Sequence, residues 1–524
     1  WAAYAWTLAD DRAYHDPSGR DLRNYAPDQR VDIEHMKLEL TIPNMNDPRL
    51  DAVETLSFTP LATPLEVLTL NAEGFTLGEI TGARGADVES VSYDGSTLQI
   101  RFATPIQPGA EASVRIEYAL SDPVDGLFWT PQSEAWPGRP AQIHTQGQPE
   151  TNRFWFASND YPNERLTTEI IATVPEGYLV SANGRLVSEE NQGRSATYHW
   201  LQDKPHVSYL VSLVVGKFDV VDVGTADLPM PVYVPEGRAD DVERTYGRTD
   251  DMVRVFEERF DEPYPWDRYA QLVVHNFGAG GMENTAATTM YDTAIYSEKD
   301  MLDDDLDGLI SHELGHQWFG DLITCNRWAD IWLNEGFATY STALWYEARD
   351  GYDNGYLRQV LSNFDRFSGN DRLDPGDERA GLRVAMVSRV YKHPWEVFRR
   401  KANPYPKGAS VLHMLRMKLG DEVFFDGLAA YVDRHKDSTV ETADFRRAME
   451  DASGLSLDRF FQQWVHRPGV PELDLRARYD LENQALTITL EQTQRIDEFA
   501  PAFAFDLPIH ITRADGSMFE FVVT

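Results

Sequence analysis

Cysteine is nearly missing from this sequence: Cys325 is the only one in 524 residues. Intrachain disulfides are therefore excluded, and thiol usage carries no information about compartment. Lysine is scarce too, with nine lysines among 48 basic residues. Basic charge as a whole is short, because 85 acidic residues against those 48 leave a net charge of −37. Nucleic acid as a partner is excluded on that ground, since phosphate contacts need a basic face. An acidic, Lys-poor surface fits work in salt, where self-repulsion is screened, and arginine bias with ordinary acidity fits it equally. No run of roughly 18 or more apolar residues occurs, so no membrane span is expected. The first residue is Trp1 rather than Met. An upstream segment either removed or lying outside this sequence is expected, and export is favoured over a cytoplasmic location. Nothing in the composition bears on oligomeric state.

Apolar residues make up 42% of the chain, enough for several packed cores, and the length calls for about three domains. Residues 1–223 read as a β-rich domain. Met36, Leu38, Leu40 and Ile42 alternate with polar neighbours, as do Leu98, Ile100 and Phe102, and then Val114, Ile116 and Tyr118. This period of two marks half-buried antiparallel strands. Tyr209 to Val215 is apolar apart from Ser212, as a strand covered on both faces would be. Residues 224–468 change pattern and form a second, α/β domain whose later part is helical. It opens with a helix-compatible stretch from Asp240 to Phe260 and stops at Pro468-Gly469. Residues 469–524 alternate again and read as a small β-sandwich, incomplete where the sequence stops inside the apolar run Phe519 to Val523.

What the chain has in full measure is a donor set for a metal. His312-Glu313-Leu-Gly-His316 is followed, after an 18-residue spacer, by Glu335. At about 3.6 residues per turn, positions four apart share a helix face, so His312 and His316 can aim two imidazoles at one point. Two imidazoles and a carboxylate, with one position left for water, are the usual open coordination of a catalytic Zn2+ ion. Glu313 flanks that face, where a general base for the attacking water should stand. A His-Glu-x-x-His pattern arises by chance in roughly a few per cent of chains this long, and a carboxylate at one set spacing lowers that about tenfold. Cys325 lies between these ligands in sequence but reads as a small buried apolar residue, because a fourth protein ligand would close the site.

Several separated motifs now carry a resemblance. They are Gly280-Gly281-Met282-Glu283-Asn284, His312 to Asp321 (HELGHQWFGD), Trp332 to Ala338 (WLNEGFA) and Tyr405 to Leu412 (YPKGASVL), with weaker support from Thr145-Gln-Gly-Gln148. Together they resemble the aminopeptidase N family of zinc metallopeptidases, which includes leukotriene hydrolase. The resemblance implies a saddle-like β domain, a thermolysin-like zinc domain and a β-sandwich. It implies one zinc ion held by His312, His316 and Glu335, Glu313 as general base for the zinc-activated water, and Tyr405 as oxyanion donor. Peptides with a free N-terminus are the implied substrates, their α-ammonium bound by Glu283 and Gln148. Gly280, Gly281 and Met282 would pass close to the substrate, with the first side-chain pocket near Met282. Many relatives carry a carboxylate where Gln148 stands, so amine anchoring is expected to differ here. Glu150 lies two residues on, with its reach undetermined. Asp321 reads either as an acceptor for a ligand histidine or as a helix-end surface residue. Two other readings stand beside the aminopeptidase: a zinc hydrolase for an epoxide or blocked peptide, and a non-catalytic scaffold.

Overall fold

The computed structural model describes residues 15–16, 18–373, 383–497 and 500–523. The first domain is built on a seven-stranded sheet ordered 185–191, 195–207, 165–175, 31–41, 49–60, 112–121 and 76–84. Burial alternates along its strands, so that Met36, Leu38 and Leu40 face a core with Val114, Ile116 and Tyr118 while their neighbours meet water. That is the half-buried pattern the period of two predicts. A three-stranded sheet (65–71, 97–106, 88–93) and a four-stranded sheet (179–182, 213–216, 142–145, 127–130) complete the domain. The Gln142–Thr145 strand is buried throughout and runs straight into Gln146-Gly147-Gln148, delivering that loop to the domain border.

The second domain opens with a five-stranded sheet ordered 218–222, 231–235, 270–273, 287–290 and 281–282. Its first strand precedes residue 224, where the sequence changes pattern, so the sheet reaches back across that point. Gly281–Met282 is the edge strand, antiparallel to Ala287–Met290. Helices then take over, and one large core joins the sheet to most of them, with Trp395–Phe398 packed in a separate cluster.

Two expected elements differ in detail. Leu213–Gly216 is a strand, but Ser208–Leu210 is a single 3-10 turn. The Asn152 amide donates to the carbonyls of Ser208 and Val211, and Asn183 donates to that of Leu210 and accepts from the Ser212 N–H. Side-chain amides thus take bonds a strand ladder would have used. The stretch from Asp240 to Phe260 is two helices, Val242–Tyr246 and Thr249–Phe260, broken at Gly247-Arg248. The C-terminal segment forms two hairpins among the described residues, 473–480 with 485–492 and 507–512 with 518–523.

A third cluster of buried side chains seals the border between the first two domains. Tyr161, Val207, Tyr209 and Leu210 from one side meet Met282, Cys325, Trp328 and Ile331 from the other. The motif residues converge there.

Candidate metal centre and active site

His312 and His316 project from the helix Asp307–Gly315 and its cap, and Glu335 from the first turn of the helix Trp332–Gly351. The two helices approach closely because Gly315 faces Ser341, whose Cβ lies 2.7 Å from where a Gly315 side chain would begin. The intervening chain folds as a short strand, Ile323–Cys325, and a turn, Trp328–Asp330, which bring the second helix back beside the first. Asn334 fixes the start of that helix. Its carbonyl accepts the Cys325 N–H, and its amide donates to the Tyr209 hydroxyl across the domain border.

Three electron-pair donors meet at one point. His312 Nε2 and His316 Nε2 are 3.2 Å apart, and they lie 3.5 Å and 3.2 Å from Glu335 Oε2. A tetrahedral zinc with bonds of about 2.0–2.1 Å needs donors about 3.3 Å apart. His316 Nδ1 is 3.0 Å from the Phe319 carbonyl, which can only accept, so Nδ1 carries the proton and Nε2 presents its lone pair. Glu335 Oε2 is buried with no hydrogen-bond partner among the described residues, an unmet acceptor that a cation would satisfy. The donor set therefore fits zinc. Cys325 is fully buried and stands outside it, as its reading as a packing residue requires.

Around this point the charge is strongly negative. Glu283, Glu313 and Glu335 are each at most 4% exposed. Burial pushes the Glu313 carboxyl well up, with Glu283 and Glu335 adding to the effect against the pull of His316. Glu283 is pushed up the same way, and its Gln148 hydrogen bond acts against the shift. Burial alone would lower His316, but the surrounding carboxylates raise it. Such a cluster draws in positive charge, whether a proton, a metal dication or a substrate ammonium.

Ligand atoms of Glu283, Glu313 and His316 all lie within 4.8 Å of one another. The Gly281–Met282 edge strand passes directly over Glu313, where a Cβ on Gly281 would fall 2.4 Å from the carboxyl. Gly280 is exposed beside it and Met282 is buried in the border cluster. Gln148 is 5% exposed and its amide donates to Glu283 Oε1 at 3.0 Å. Tyr405 stacks its ring on His312 with centroids 6.0 Å apart. Burial first, then Glu335 and Glu283, hold its phenol well above the usual tyrosine range, so it stays a donor.

Two neighbours resolve against a direct role. Both Glu150 oxygens are taken, one by Trp328 Nε1 and one by Arg153, each at 2.8 Å. Glu150 thus braces the Gln148 loop against the turn before the Glu335 helix. Asp321 is fully buried, so it is no surface residue, and the partner of His316 is Phe319 in its place.

Sequence reasoning missed two contacts. The helix carrying Tyr405, Pro404–Leu419, crosses the Glu335 helix at Gly336 and Gly408, where a Cβ on either would lie 2.7–2.9 Å from the Cα of the other. Lys407 and Asp371 form a buried ion pair. Glycines inside two motifs, and a lysine inside an otherwise buried helix turn, are the signals that could have flagged them.

Residues 33–210 match the peptidase M1 N-terminal domain and residues 244–464 match the peptidase family M1 domain. Aminopeptidase M1 of Arabidopsis thaliana is 32% identical over 340 residues, 64% of this chain and 38% of its own. Aminopeptidase N of Streptomyces lividans is 29% identical over 362 residues, 67% of this chain and 41% of its own. The chain thus spans less than half the length of both. The crystal structure of an M1 zinc metallopeptidase from Deinococcus radiodurans superposes with a TM-score of 0.69 at 25% identity, covering 85% of this chain and 95% of that one.

Proposed function

Because this chain belongs to peptidase family M1, we propose that it is a zinc-dependent aminopeptidase that removes the first residue from peptides with a free N-terminus. The observation that carries this reading is the nearness of Glu283 to the metal donors, with its carboxylate within 4.8 Å of ligand atoms of His316 and Glu313. An ammonium held by Glu283 leaves room for about one residue before the reacting carbonyl.

His312, His316 and Glu335 would hold the zinc, which supplies Lewis-acid polarisation and a water of lowered pKa. The protein's own groups do the rest. Glu283 pairs with the α-ammonium, and the side-chain carbonyl of Gln148, oriented by the hydrogen bond its amide donates to Glu283, accepts from the same group. Among the described residues the Gly281–Met282 edge strand has an unpaired side, on which an extended peptide can add its backbone. Glu313 takes the proton of the attacking water and hands it to the leaving amine, a task suited to a carboxylate whose proton affinity burial has raised. Tyr405, kept neutral, donates its O–H to the oxygen of the tetrahedral intermediate.

The test is hydrolysis of one tripeptide series with free and with acetylated N-termini, before and after chelation. Stepwise release of single N-terminal residues, from free peptides only and restored by zinc after chelation, is the expected result. Acetylated peptides cleaved as fast as free ones would favour the blocked-peptide hydrolase.

A further inference from the structure

Tyr405 sits in a helix turn with few backbone ties of its own. Pro404 and Pro406 flank it and supply no N–H donors, so the turn is held by Asn403. The Asn403 side chain accepts the Tyr405 N–H at 3.0 Å, and its carbonyl accepts the Lys407 N–H at 3.1 Å. Helix termini held so lightly fray unless a side chain pins them.

Lys407 is two positions on, so its side chain leaves the helix about 200° around from that of Tyr405. It runs inward: Nζ donates to Asp371 Oδ2 at 2.6 Å and to the Gly469 carbonyl at 3.3 Å. The side chains of the pair are 1% and 0% exposed. Asp371 belongs to a short segment that also carries Leu373, which packs against Gly469 and Ala500 and accepts the Arg495 N–H at 2.7 Å. The segment is therefore fixed to the C-terminal residues on one side and to the Tyr405 turn on the other. A fully buried ion pair is an expensive way to join two elements, so its geometry restricts what those elements can do.

We propose that the Lys407–Asp371 pair is a positioning device for Tyr405, setting the rotation of its helix turn so that the phenol points at the reacting carbonyl. This rests on the reading of Tyr405 as the oxyanion donor. Lys407 touches no substrate and acts only through Tyr405.

The test is a double-mutant cycle on aminoacyl-4-nitroanilide hydrolysis, using zinc-replete protein of verified metal content and melting temperature. Tyr405→Phe is expected to lower kcat by about 10²–10³. The joint substitution Lys407→Met with Asp371→Asn leaves no unpaired charge buried, and its melting temperature checks that it folds. It is expected to lower kcat by about tenfold with KM held within about twofold, and to have less than about a twofold effect in the Tyr405→Phe background. An equal loss in both backgrounds would overturn the proposal, because a general structural role adds to the tyrosine's. No loss in either background would overturn it as well. Full activity of Tyr405→Phe alone would instead remove the reading of Tyr405 on which the proposal stands.

Discussion

Glu335, Glu283 and Glu54 are all buried carboxylates, and their neighbours set them to different uses. Glu335 lies between two imidazoles, and Glu283 accepts one side-chain amide and sits beside Glu313 and His316. Glu54, in the core of the first domain, has one Ala157 N–H on Oε2 and, among the described residues, no partner on Oε1. Burial pushes its carboxyl up to about 8. The folded state therefore holds this proton more tightly than the unfolded chain does. Its contribution to stability is full below about pH 4.5 and is lost as pH rises through about 8, a change of up to ~5 kcal/mol. Glu54→Gln keeps the shape and removes the titration. The melting temperature of the variant is expected to gain on wild type steadily between about pH 5 and pH 8 and to level off above that. A constant difference would show that Glu54 does not titrate in this range.

At the scale of elements, the site depends on how three helices meet. The motif His-Glu-x-x-His with its distant glutamate was legible in the sequence because helix geometry alone aligns the two imidazoles. The packing that aims Tyr405 was not legible, because Gly336 meets Gly408 only once the chain has folded back. Gly408→Ala would drive a methyl toward the Gly336 Cα. The expected cost is about 1–3 kcal/mol of stability together with a lower kcat, measured by melting and by turnover of zinc-replete protein. Unchanged values of both would mean that the helices part without consequence for Tyr405. The strands tell a similar story. Val31–Thr41 and Ala112–Ser121 were readable because one face is dry and the other wet. Ser208–Leu210 was not, because Asn152 and Asn183, far off in sequence, capture its backbone groups.

For the whole molecule, the two domains are joined by buried side chains in two clusters, and the candidate site draws on both sides of that border: Gln148 from the first domain, Glu283, Glu313 and Tyr405 from the second. The net charge of −37 acts on the molecule as a whole by self-repulsion. Raising salt from about 0.05 M to about 1 M is expected to raise the melting temperature by a few degrees as that repulsion is screened. No rise would show that the acidic residues already have their counter-charges within the fold. Composition could announce the acidity but not the pairing of Gln148 with Glu283, which lie 135 residues apart and meet only across the border. That pairing is where the account is most exposed. The direct measurement is the kcat/KM of Glu283→Gln on a free aminoacyl-4-nitroanilide, beside its acetylated counterpart and at equal zinc content. A loss of about 10²–10³ on the free substrate, with the preference for free over acetylated substrate collapsing, is the predicted result. Wild-type efficiency with the preference intact would contradict the assignment of Glu283 as the anchor of the N-terminus.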